Sequence, residues 1–280
     1  MKVCITCESS CDLPLDIVEK YNIKVIPLII NFESESLVDG VDANAQDLFD
    51  RFEKTGELPK TAARGVFEYE EFFEKTLCEC DQIVHISLSS HFSSSYSNAL
   101  VASQKFENVT VVDSKNLSTG YGLVVLAACD LALQGNGATQ IGEMLEEYIK
   151  NVEASFVLNT LKFIHKGGRC SAIAMLGANL LKIKPMIAVV DGKMKVAKKY
   201  IGKFSEVVLK YVKETLDQNP NVNKKRIFIT YSSNELFEIE KVQDLVNSYG
   251  FEQVITCKAG CTVASHCGPN CIGILFAKNF

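Results

Sequence analysis

Two glycine-rich stretches set charged or polar side chains beside strongly apolar chain. One is Ser155-Phe-Val-Leu-Asn-Thr-Leu-Lys-Phe-Ile-His-Lys-Gly-Gly-Arg-Cys-Ser171, the other Ser265-His266-Cys267-Gly268-Pro269. A site for a small charged head group on an otherwise greasy ligand has this composition. Gly167-Gly168-Arg169 puts a permanent cation on backbone that turns sharply, and arginine suits bidentate contact with carboxylate or phosphate. A solvated surface turn is the competing reading. His266 sits in a loop stiffened by Gly268 and Pro269, where it can donate to an anion or move protons near neutral pH. The run Ser89-Ser-His-Phe-Ser93-Ser94-Ser95-Tyr96 follows a strand and precedes a helix. Its hydroxyls and free N–H groups suit an anion, although serine also serves as a plain helix cap. Thr61, in a loop before a charged helix, either caps that helix or donates to a ligand. A Ser93–His266 pair would suggest acyl transfer, but Ser93 lies outside a Gly-x-Ser-x-Gly elbow and no acid stands out to orient the histidine.

These groups need a scaffold. Val3–Thr6, Lys24–Ile30, Ile83–Ser87 and Val109–Asp113 read as strands. Helices are expected at Ser95–Lys105 and Ser118–Leu133, with Asp12 capping another that starts at Leu13-Pro14. Alternation of strand and helix predicts a parallel sheet, with ligands beyond the carboxyl ends of its strands, where Ser87–Ser95 and Asp113–Gly122 fall. Gln134–Gly137 breaks the chain, and Thr139 is placed to cap an amphipathic helix carrying Ile141, Leu145 and Ile149. The second half differs. Asp191-Gly192 joins Met186–Val190 to Lys193–Ala197 as a hairpin. Helices at Ser205–Leu216 and Glu235–Tyr249 (the latter stopped by Gly250) accompany strands at Arg226–Tyr231, Val254–Lys258 and Gly273–Ala277. The reading is α/β in two domains, 1–153 with a parallel sheet and 154–280 of α+β type.

Bulk numbers exclude several classes. A chain of 280 residues with 47% hydrophobic and 22% charged residues is ordinary globular protein. Net charge −5 argues against a nucleic-acid partner. The absence of a long apolar run excludes a membrane span, and the short strand pattern Met1–Cys7 is not a signal peptide, which together suggest the cytoplasm. Eleven cysteines are an odd number, so a disulfide framework is not expected. Cys4, Cys7 and Cys11, or Cys257, Cys261, His266, Cys267 and Cys271, would have to form a metal or redox site, but neither set offers two CxxC-like pairs. Small buried hydrophobes are the favoured role, and no metal or cofactor is expected.

Taken in order and spacing, the motifs resemble the DegV family, the fatty-acid-binding subunit of bacterial fatty acid kinase. The resemblance runs over essentially the whole chain: Glu8-Ser-Ser-Cys-Asp-Leu13, Val25-Ile-Pro-Leu28, Thr61, Ile86–Tyr96, Val112–Gly122, Phe156–Ser171, Lys184-Pro-Met, Asp191-Gly192 and His266-x-Gly-Pro269. It implies two domains with a fatty acid between them, the acyl chain buried and the carboxylate near the surface. It also implies that Thr61 and Ser93 bond that carboxylate with His266 beside it, and that Arg169 helps the head group meet a separate ATP-dependent kinase that makes an acyl phosphate. Ser94 is an accessory to that head group, and transient membrane contact for lipid exchange goes with the role. The chain departs from the family at Thr61-Ala-Ala-Arg-Gly65, where Arg64 adds a cation able to supplement carboxylate binding, at Phe92–Tyr96, and at Asn159 and Asn270. Burying about fifteen methylenes at ~0.8 kcal/mol each gives on the order of 12 kcal/mol gross, and the carboxylate then needs donors. Two rival functions stand beside this one: a stand-alone acyl or phosphoryl transferase using Ser93 and His266, and a metal- or redox-responsive protein using the cysteines.

Overall fold

A computed structural model describes residues 2–169 and 183–279. Cys170 and Ser171, which end the first glycine-rich stretch, lie outside the described residues. Strands β1 (Val3–Glu8), β2 (Lys24–Ile26), β6 (Gln82–Ser87) and β7 (Val109–Asp113) form a parallel sheet in the order β2-β1-β6-β7. Both faces are covered, which is why its strands read as continuous apolar runs. Helices α3 (Val66–Leu77) and α4 (Ser95–Ser103) cover one face through Tyr69, Phe73, Ala99 and Ala102. Helices α5 (Ser118–Leu133) and α6 (Ala138–Lys150) cover the other.

The α5 helix is apolar all round because it lies between two sheets. Its core joins Ile5 and Val84 of the parallel sheet to Ala154, Phe228 and Leu275 of the second sheet. That second sheet is mixed, in the order β10-β9-β8-β13-β11-β12. It consists of β8 (Val152–Leu158), β9 (Ile183–Val190), β10 (Lys193–Ile201), β11 (Val222–Tyr231), β12 (Val254–Lys258) and β13 (Cys271–Lys278). Its outer face is covered by α8 (Phe204–Asp217) and α9 (Ile239–Asn247). Asp191 and Gly192 both adopt positive φ, 51° and 77°, as the expected two-residue hairpin between β9 and β10 requires.

A third, three-stranded antiparallel sheet carries part of the site. It has the order β4-β3-β5, with β3 Ile29–Asn31, β4 Ser36–Val38 and β5 Lys60–Ala62. Together with α2 (Ala45–Thr55) it packs on α7 (Lys162–Gly167) and α10 (Cys261–Cys267) through Ile30, Leu48, Phe49, Phe163 and Ala264. The structure thus corrects five local expectations. Lys24–Ile30 is two strands in different sheets, since Pro27 has no N–H to continue a ladder. Asp12 does not cap α1 (Leu15–Lys20), whose N-cap is Pro14. Gly137, not Thr139, is the N-cap of α6. Thr61 lies in a strand and His266 in a helix, not in loops.

Candidate functional site

Thr61, Ser93, Ser94, Arg169 and His266 line one cavity of about 430 Å³. Apolar wall is supplied by residues such as Leu88, Phe92, Leu117, Phe156, Ile164 and Leu275. Strands of the three-stranded and mixed sheets, with segments that flank strands of the parallel sheet, therefore enclose a volume typical of a small-molecule site.

The β3–β5 pairing sets Thr61 opposite Ile30, and its Oγ1 lies 2.9 Å from His266 Nε2. The other ring nitrogen, Nδ1, is buried and has no partner among the described residues. It lies against Gly167, where a Cβ would come within 2.3 Å of it. A buried N–H without an acceptor costs more than a bare lone pair, so the network assigns the ring proton to Nε2. His266 then donates to Thr61, and the Thr61 hydroxyl proton is free for a ligand. Burial lowers the His266 pKa to about 4, with the charge of Arg169 acting the same way. At pH 7 the ring therefore meets a ligand as neutral imidazole.

Ser93 lies between β6 and α4. Its Oγ accepts from the Ser95 amide at 3.1 Å and shares a proton with Ser95 Oγ at 2.9 Å. Ser95 lies beside the Tyr69 hydroxyl, which donates to Glu8 Oε1 at 2.9 Å. Glu8 is fully buried and accepts further from Ser87 Oγ, Tyr121 Oη and the Leu88 amide. Burial alone would raise its pKa; the hydrogen bond from His85 and those from Tyr121 and Ser87 overcome this and hold it at about 2. A buried anion thus stands two hydroxyls behind Ser93. Sequence reasoning missed this chain, although Glu8 opens a motif it had singled out.

Arg169 is exposed at the rim, and its Nη1 donates to the Gly167 carbonyl at 2.8 Å. Ser94 is exposed there too and makes no side-chain cap to α4. Arg64 does not join the group. Its Nε donates to the Pro27 carbonyl at 2.6 Å and its Nη1 to Glu68 at 2.7 Å, so the guanidinium is committed away from the cavity. That corrects its expected role at a carboxylate. Among the described residues no three His, Cys, Asp or Glu side chains are grouped to hold a metal. Cys267 and Cys271 line the cavity as thiols.

Residues 2–279 match the family model described as "Uncharacterised protein, DegV family". The chain belongs to the DegV family. Among family relatives, a DegV domain-containing protein of Clostridium acetobutylicum is 31% identical over 285 residues, covering 100% of this chain and 99% of that one. Of solved structures, a DegV family protein from Thermus thermophilus, described by its fatty acid binding, has a TM-score of 0.90 at 25% identity, with 100% of both chains covered. A DegV lipid-binding protein from Thermotoga maritima has a TM-score of 0.85 at 25% identity, again over the whole of both chains. The parallel N-terminal sheet and mixed C-terminal sheet are the architecture of these relatives.

Proposed function

We propose that this protein binds a long-chain fatty acid and presents it to a separate ATP-dependent kinase, which forms the acyl phosphate. The observation that carries the reading is one apolar cavity on which two hydroxyls and a neutral imidazole converge, Thr61, Ser93 and His266. The two hydroxyls, with His266 orienting that of Thr61, suit a carboxylate, since removing its last water contacts without partners would be costly. The units 1–153 and 154–280 form the two walls around the acyl chain. Similarity to the Thermus thermophilus protein, named for fatty acid binding, supports the ligand class.

Arg169, exposed beside this head group, is the group left to meet a partner and an acyl phosphate. The chain itself is not the catalyst in this reading. Ser93 bonds Ser95 and His266 bonds Thr61, so the Ser93–His266 contact a stand-alone transferase uses is not made among the described residues. Membrane contact has its own support in charge. Residues 154–203 carry ten lysines and arginines against one acid, Asp191, in a chain of net charge −5. A cytoplasmic protein with such a segment can collect its ligand at an anionic bilayer.

Mass spectrometry of lipid released from freshly purified protein tests the ligand class. A near-equimolar long-chain fatty acid is expected. An empty protein that also refuses added fatty acid would overturn the proposal. A Thr61→Ala, Ser93→Ala double variant should bind palmitate at least about tenfold more weakly, at roughly one charged hydrogen bond per hydroxyl. Arg169→Ala should keep binding and slow phosphorylation by the partner kinase.

A further inference from the structure

The Thr61–His266 contact joins two elements that meet a second time. Thr61 belongs to β5 of the three-stranded sheet, and His266 to the last turn of α10. At the other end of α10, Asp39, which follows β4 of that same sheet, accepts from the Cys261 amide at 2.9 Å and from Thr262 Oγ1 at 2.6 Å. Asp39 is buried, and its Oδ2 also accepts from Ser9 Oγ at 2.9 Å. Ser9 Oγ in turn accepts from the Leu28 amide, while the Asp39 amide donates to the Leu28 carbonyl. The carboxylate is therefore fixed on its own side before it grips the helix. Asp12 completes the grip by accepting from the Gly260 amide at 2.9 Å and from Ser118 Oγ at 2.5 Å. Between the two ends lies the apolar contact of Ile30 and Phe49 with Cys261 and Ala264.

From this we infer that Asp39 is a positioning residue for the head-group site: it fixes α10 against the three-stranded sheet, and thereby sets the Thr61–His266 geometry that presents the Thr61 hydroxyl to the ligand. This rests on the proposal that the cavity takes a fatty-acid carboxylate. Asp39 neither lines the cavity nor touches the head group. Its effect passes along one short helix, where an error of rotation at Cys261 becomes a displaced imidazole at His266. A group that only stabilises the fold would weaken all ligands alike, whereas a positioning group weakens those that use the donors.

The test compares palmitate with hexadecanol, which shares the chain but lacks the carboxylate. Asp39→Ala should lower palmitate affinity about tenfold and hexadecanol affinity by no more than about twofold. Asp39→Asn, which keeps an oxygen for the Cys261 amide, should lie between. Ser9→Ala removes one donor to Asp39 at a residue that does not line the cavity. It should shift the palmitate-to-hexadecanol ratio in the same direction by a smaller factor, and it decides the matter if Asp39→Ala fails to fold. Val242→Ala, a cavity made in the remote core under α9, should destabilise the protein without changing the ratio. Equal loss of both ligands in Asp39→Ala and Ser9→Ala, or no loss in either, overturns the inference. A wild-type protein that binds palmitate and hexadecanol equally overturns the carboxylate reading itself.

Discussion

His266 is held where it cannot easily take a proton, and that has a measurable cost. Its folded pKa of about 4 lies below the ordinary 6.5. Below pH 6.5 the unfolded chain binds a proton that the native state refuses, so stability falls as pH drops from 6.5 toward 4. Measured against His266→Asn, which removes the titrating ring, the wild type should lose stability to denaturant between pH 7 and pH 4.5. A bound anion reverses the local logic by favouring the charged ring, so fatty acid should raise the His266 pKa in NMR titration. Arg169 and His266 stand out in the sequence beside glycine, whereas Thr61 and Ser93 took their expected role from the family resemblance; all four line the cavity. Arg64 misled because charge alone does not say where a side chain reaches, and Glu68 lies four residues on, within its range.

At the scale of elements, long and periodic segments were readable and short ones were not. The α5 helix and the β9–β10 hairpin were expected from an apolar run and an Asp-Gly pair, and both formed. The strands carrying Thr61 and preceding Asp39 are three residues each, too short for a period of two to register. The α10 helix is seven residues long, opens at Gly260 without a side-chain cap of its own, and takes its caps from Asp12 and Asp39, more than 200 residues earlier. No local signal can encode that. The end of α7 is equally demanding, because Gly167 lets its backbone approach the imidazole. Gly167→Ala should push His266 off Thr61 and cost about tenfold or more in palmitate affinity while the far-UV circular dichroism stays unchanged.

For the whole molecule, charge is strongly segregated. The basic segment ends in β10, an edge strand whose Lys193, Lys195, Lys198 and Lys199 are all exposed. Lysines on an edge discourage pairing with another sheet, so this row also protects the protein from association through β10. Met194, between two of them, lines the cavity. Transfer of a fluorescent fatty acid from vesicles should therefore be faster with anionic than with neutral lipid. The advantage should shrink between low salt and about 0.5 M salt as the surface charges are screened. Replacing Lys193, Lys195 and Lys199 by Gln should remove most of it without changing affinity in detergent-free buffer.

The double attachment of α10 also makes the protein's own amides reporters of its ligand. Coupling between sites is reciprocal in free energy. If the grip of Asp39 improves lipid binding, bound lipid must tighten that grip by the same factor. The Cys261 amide, held by Asp39 at the end of the helix away from His266, should then exchange its hydrogen more slowly in the loaded protein. The isolated amide of a short helix would thus count how many molecules in a population carry lipid, without a probe on the lipid and without a partner present.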